Sequence, residues 1–224
     1  MYGRNIVENL HAVPAIWPVD LNTGANPGDY ISLKNYPVAG VLIQIGASAG
    51  TIVVTMVQAK DVAATGAKAL AFTEMFQTGC RLKLTSKTGT FTVGETLTGA
   101  GGASAVVYAD CGTYLLLHTI NEVAFVDGET VTGADSTFTG VASGIGIDED
   151  ILLSTAVAAN TFTIPDRANR MYFISIEAMM LDVAGDFDCV RVHLAQASGA
   201  TIGGAVYLLD PNQKGRPMLT AIYD

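Results

Sequence analysis

Histidine and cysteine are scarce in this 224-residue chain, three of each, and there is one tryptophan. Cys80, Cys111 and Cys189 show no CxxC spacing and no neighbouring histidine pair. That spacing supports neither a metal cluster nor a full disulfide framework; Cys80 and Cys111 could pair only in an oxidising setting. His11, His118 and His193 lie in separate segments and share no motif. Each reads as a strand-surface or satisfied core histidine, because a catalytic site needs convergent polar groups. The expectation is a chain with no catalytic residues, no cofactor and no metal. Asp148 to Asp150 lack the D-x-D-x-D-G calcium spacing and read as a solvated loop. Asp182, Asp186 and Asp188 read as a polar turn around Gly185. Gly99, Gly101 and Gly102 are followed by no GK[ST], which removes a phosphate loop.

Charge is also sparse, at 15% of residues, and it is unbalanced. Twelve Lys plus Arg against 21 Asp plus Glu give a net charge of -9, which opposes contact with phosphate backbones, so no nucleic-acid partner is expected. Between Thr88 and Asp150 there is no Lys or Arg at all. A segment charged one way repels copies of itself and suits an outward, solvated surface. The first 20 residues interrupt any apolar stretch with Glu8, Asn9 and His11, so no secretory signal is read. The uncharged run Asn35 to Ala59 contains Gln44, Gln58 and a GASAG turn. It fits two strands better than a membrane helix, and no membrane partner is expected.

What is present is hydrophobic residue, 50%, and glycine, 24 residues. Together they indicate a β-rich globular chain. Residues 1–29 hold Pro14, Pro18, Pro27 and Trp17, and read as an extended arm. From Tyr30 the sequence becomes short apolar strands with intervening turns, and the same texture returns after Ile151. Neither outer piece has enough strands to close alone. Residues 30–80 plus 151–210 are expected to form one β-sandwich, and 211–224 a tail.

Between these pieces lies an internal repeat. Phe91 to Ala100, FTVGETLTGA, matches Phe125 to Ala134, FVDGETVTGA, at seven of ten positions and a spacing of 34. Each copy reads as a hairpin turning at Gly94-Glu95 or Gly128-Glu129. Residues 81–150 are therefore expected to be an inserted small β-domain. The fold class expected is all-β, a jelly-roll-like β-sandwich carrying that insert.

The segments DLNTGANPGDYISLKNYPVAGVLIQIGASAG, QAKDVAATGAKALAF and ANTFTIPDRANRMYFISIEAMMLDVAGDFDCVRVHLA resemble accessory virion proteins of tailed bacteriophages. The repeat F-x-x-G-E-T-x-T-G resembles a β-module of phage structural proteins. The resemblance implies a non-enzymatic capsid cement or decoration protein, made in the host cytoplasm and carried on the virion surface. Its implied partners are the major capsid protein and itself, as a dimer or trimer. The interaction residues expected are Pro14, Ile16, Trp17 and Pro18 in the arm and Arg216 in the tail, since a large aromatic beside rigid backbone dominates interfaces. A tail or head-fibre module binding a host surface or carbohydrate is the alternative. Against it, the insert offers Tyr108 and Tyr114 but no tryptophan as a sugar platform.

Overall fold

The computed structural model describes residues 10–121, 123–144 and 147–210. Among them, seventeen strands succeed one another with three short 3₁₀ turns between them. They run β1 (His11–Asp20), β2 (Asn26–Pro27), β3 (Ile31–Ser32), β4 (Val38–Ser48), β5 (Ile52–Ala59) and β6 (Lys68–Ala69). Next come β7 (Glu74–Thr85), β8 (Thr96–Gly99), β9 (Ser104–Asp110), β10 (Tyr114–His118), β11 (Thr130–Gly133) and β12 (Thr139–Ala142). The last five are β13 (Ile147–Ala156), β14 (Thr161–Ile164), β15 (Arg170–Glu177), β16 (Cys189–Leu194) and β17 (Thr201–Asp210).

The chain is all-β and sandwich-like, with antiparallel sheets of 11 and 6 strands. Among the described residues no helix is long and apolar enough to cross a membrane. The uncharged run from Asn35 to Ala59 becomes β4 and β5, one in each sheet, joined through the GASAG turn. The inward residues Val41, Ile43 and Ile45 of β4 and Ile174 and Ile176 of β15 meet Val54 and Met56 of β5 and Val190 and Val192 of β16 in one core. Full burial of such side chains supplies about 1.5–3 kcal/mol each. Tyr207 ties the layers directly. Its fully buried hydroxyl accepts from the Val192 N–H and donates to the Asp29 carbonyl, both at 2.9 Å.

A second core lies between Cys80 and Ala142 and contains Leu82, Phe91, Leu97, Val107, Leu115, Leu117, Phe125 and Val131. The strands around it close on themselves in the order β7-β10-β9-β8-β11-β12, with β12 returning to β7 through Val141↔Thr85 and Ala142↔Leu84. A closed barrel has no free edge. Strand β7 belongs to both cores. Its first half pairs with β15 and β13, and its second half with β10 and β12.

The repeat builds this barrel in a way that differs from a hairpin at Gly94-Glu95. The hairpins are β8–β9 and β11–β12, which come after the motif's turn, and the two copies pair with each other through Val131↔Gly99, Thr132↔Thr98 and Gly133↔Leu97. Gly94 and Gly128 adopt φ of +89° and +79°, the left-handed region that glycine enters without strain. The glutamates next in sequence are buried and reach across the pair. Glu95 accepts from Asp135 N, Ser136 N and Ser136 Oγ beyond the second copy, at 2.9–3.0 Å, and from Thr92 N at 2.6 Å. Glu129 accepts from Val126 N at 2.7 Å and from Gly101 N beyond the first copy at 3.3 Å. The carboxylates lie over Gly133 and Gly99, where an added Cβ would stand 2.5 and 2.6 Å from them. Thus G-E-T-x-T-G is a reciprocal clamp. Its glutamate fills the space that the partner copy's last glycine leaves open.

Two further segments depart from the sequence reading. Asp148, Glu149 and Asp150, expected in a loop, lie within strand β13. Residues 11–20, expected to be an unpacked arm, are an edge strand paired with β17 from His11↔Leu209 to Asp20↔Ile202, with Val13, Ala15 and Ile16 buried. Proline suits such a position because an outer edge needs no N–H donors.

Candidate interaction surface

Strand β1 shifts register twice, between Pro14 and Ile16 and again between Ile16 and Val19. The bulge lies directly on the glycine pair of β17. A Cβ on Gly204 would stand 2.9 Å from the Ile16 carbonyl oxygen and 3.0 Å from the Pro18 nitrogen, and one on Gly203 would stand 2.9 Å from Leu21 and Ile45. Bulges increase local twist and re-aim side chains. Here Ala15 and Ile16 turn inward in succession, and Trp17 is left outside with 72% of its surface exposed. Val19, two residues further on, and Ile202, opposite Asp20, are also exposed, at 38% and 45%.

The residues expected to make contact therefore separate. Trp17 and Pro18 are exposed on the bulge, and Pro14 is exposed earlier on β1. Ile16 is buried at 8% exposure and packs in the sandwich core, so it seats the bulge and does not face a partner. Arg216 lies outside the described residues. Val19, Ile202 and the Gly203-Gly204 pair escape the sequence reading. Their available signal is the double glycine within an otherwise apolar strand, which marks close backbone approach.

Pro14 also begins a cross-strand row on the outer face of the large sheet. Register places Pro14 opposite Val206, Val206 opposite Leu42, Leu42 opposite Phe173 and Phe173 opposite Phe76. The Phe173 ring covers Gly40 and lies 6.4 Å from that of Phe76. At one border, Asp210, Val38 and Glu177 share a row. A pocket of about 290 Å³ opens there, lined by Thr73, Glu74, Phe76, Ser175, Glu177 and Met180.

Several polar groups elsewhere are engaged locally. His11 Nδ1 lies 2.6 Å from the Tyr36 hydroxyl, and burial lowers the imidazole pKa. His118, lowered likewise by burial, joins Thr119 at 2.8 Å and Gln77 at 3.2 Å where barrel and sandwich meet. Gln77 Nε2 also donates to Thr155 at 2.8 Å. A cleft of about 530 Å³ lies beside this cluster, lined by Val93, Val106, Tyr108, His118 and Thr155 among others. His193 stands on β16, opposite Thr55. Asp182 receives Gly185 N and Lys68 Nζ, and so closes the turn expected there. Cys80 faces the barrel core, whereas Cys111 is exposed.

Lys87 and Asp110 form a largely buried pair with a contact of 2.5 Å. Burial alone would raise the Asp110 carboxyl. The hydrogen bonds from Lys87, Gly112 N and Phe91 N outweigh it and hold the group below the ordinary range.

No family model matches the chain, and comparisons with curated proteins and with solved structures yield no match either.

Proposed function

We propose that this is a non-enzymatic virion structural protein, a capsid cement that docks on the major capsid shell and stabilises it. The observation that carries the reading is Trp17, held 72% exposed on a bulge whose backbone is fixed by buried Ile16 and by Pro18. A rigid aromatic loses little conformational entropy on binding and supplies a large apolar area, which is the character of an interface anchor. The sequence resemblance implies the shell as the partner. In this reading 30–80 plus 151–210, with β1 at its edge, is the jelly-roll-like body, and 81–150 is an inserted module. The module's acidic surface, which carries no Lys or Arg between Thr88 and Asp150, projects outward, away from neighbouring copies. Self-association into a dimer or trimer accompanies docking.

The test is decoration of undecorated shells by the full chain and by Trp17→Ala. The side chain is outside both cores, so the variant should melt with the wild type while its occupancy on shells falls at least tenfold, as loss of an interface anchor worth about 2 kcal/mol or more requires. Occupancy equal to wild type sinks the reading. Copy number in purified particles separates the alternative, since a dozen or fewer copies indicate a tail or fibre module.

A further inference from the structure

The cleft where barrel and sandwich meet is shaped by a defect in strand β9. Leu116 of β10 pairs with Ala109 and Leu117 with Val107, so Tyr108 is an extra residue with no partner across the ladder. Such a bulge re-aims a side chain. Val107 stays in the barrel core, while Tyr108 is exposed and lines the cleft with Val106 and Val93. His118, opposite Val106, lines it as well, its ring centroid 5.9 Å from that of Tyr108 and the two planes at 74°.

The hydrogen bonds behind His118 decide which ring nitrogen carries its proton. Thr119 N donates to Gln77 Oε1 at 3.3 Å, which turns the amide nitrogen of Gln77 toward the histidine. Gln77 Nε2 lies 3.2 Å from His118 Nδ1, and an amide nitrogen only donates, so Nδ1 is an acceptor. The Thr119 hydroxyl accepts from Gln77 Nε2 at 3.1 Å and donates to Nδ1 at 2.8 Å. Thr119 holds this position at a φ of +50°, a left-handed conformation that a β-branched residue rarely adopts. Burial keeps the imidazole neutral by lowering its pKa. The proton of the neutral ring is therefore on Nε2, for which the described residues supply no hydrogen-bond partner.

A molecule that completes this cleft is uncharged, because among the described residues no acidic or basic side chain lines it. It also carries an acceptor for Nε2–H, since a purely aliphatic ligand would bury that donor unpaired. Ser154 Oγ, on the same lining, gives its hydrogen to Glu74 and so presents a lone pair. A hydroxyl accepts and donates at one atom, and a molecule rich in hydroxyls answers both groups. The volume of about 530 Å³ falls within the range of small-molecule clefts, about 300–1,000 Å³. We propose that this cleft is a binding site for a neutral saccharide, with the C–H face of a sugar ring resting on Tyr108 and Val106 and one of its hydroxyls accepting from His118 Nε2. Tyr108 thus serves as the aromatic platform, offering an apolar ring with a polar tip. The site does not rest on docking to a shell, because Trp17 belongs to strand β1 and lines no part of it.

The experiment uses isotope-labelled full-length protein, proton–nitrogen spectra of its histidine rings, and glucose, galactose, rhamnose, N-acetylglucosamine and their disaccharides at millimolar concentration as probes. The free protein should show His118 protonated on Nε2, and at least one of these sugars should shift that nitrogen saturably while His11 and His193 stay in place. Tyr108→Ala, a change at an exposed side chain, should weaken that sugar several-fold, and Trp17→Ala should bind it like wild type. His118→Phe, followed at the amides of Val106 and Ala156, should abolish binding; if it loses native near-ultraviolet dichroism, Tyr108→Ala decides. A proton found on Nδ1, a panel in which no sugar moves His118, or undiminished affinity in Tyr108→Ala overturns the proposal. Glucuronic acid bound more tightly than glucose also overturns it, by assigning the cleft to an anion.

Discussion

Replacing Glu95 with alanine tests the reciprocal clamp at its stronger half. The carboxylate is 1% exposed and accepts from three backbone N–H groups and one hydroxyl. Hydrogen bonds to a charged group contribute about 1.5–3 kcal/mol each, but water entering the vacated space recovers part of the loss, so the net cost is about 3–5 kcal/mol. Glu129 has two such bonds, one of them at 3.3 Å, and Glu129→Ala should cost about 1.5–2.5 kcal/mol. The assay is native-state hydrogen exchange at the amides of β8 and β11, which reads opening of the barrel separately from the sandwich. The two copies are alike in sequence but unequal in bonding, so the inequality of the two losses is the specific expectation. Equal losses, or a Glu95→Ala loss below about 1 kcal/mol, refute the clamp. The same carboxylate sets a pH dependence. Burial alone would raise the Glu95 carboxyl, but the bonds from Ser136, Thr92 and Asp135 outweigh it and leave the group below its ordinary value of 4.5. A depressed folded-state pKa means stability that is fully present above the unfolded value and is lost as pH falls through the folded one. Barrel protection should therefore decline below about pH 4.5 in the wild type and less steeply in Glu95→Gln.

Asp110→Asn leaves the Lys87 ammonium without its partner in a site where the aspartate side chain is 4% exposed, and should destabilise the barrel by about 2–4 kcal/mol in the same exchange measurement. Gly204→Ala drives a Cβ into the backbone of the β1 bulge and should lower the melting temperature by roughly 3–8 °C, with Trp17 fluorescence shifting as the bulge moves. Joining Gly79 to Ile151 with a short Gly/Ser linker should leave a soluble, cooperatively melting sandwich, because among the described residues none of its core lies between Phe76 and Ala156. Aggregation at two linker lengths would reject separability.

Composition and periodicity are legible in the sequence, and these carry the all-β class, the strands on either side of GASAG and the duplicated G-E-T-x-T-G. What Glu95 and Glu129 touch is not legible, because each carboxylate's distant donors lie just beyond the other copy, 28 residues away for Glu129 and 40 and 41 for Glu95, and a local pattern cannot name a non-local partner. The prolines mislead for a related reason. Pro14 and Pro18 break a central strand but not an edge, and edge status depends on β17, nearly the whole chain away. That Trp17 stands between Ile16 and Pro18 is legible in the sequence. The register shift that holds it outward is not, since it arises from Gly203 and Gly204 meeting the bulge.

Strand β7 has a mechanical consequence. Twelve residues of extended chain span about 40 Å, and this one strand is laddered on both edges as it passes from one core into the other. A flexible linker would let the barrel swivel. A shared strand instead acts as a stiff lever, braced at its fulcrum by Gln77, Thr155 and His118. A force applied to the barrel reaches the sandwich as shear along β7, which all its ladder bonds must resist together. The barrel's direction relative to the sandwich is thus built into the backbone, and bending it means breaking strand pairing and not merely reorienting a loop.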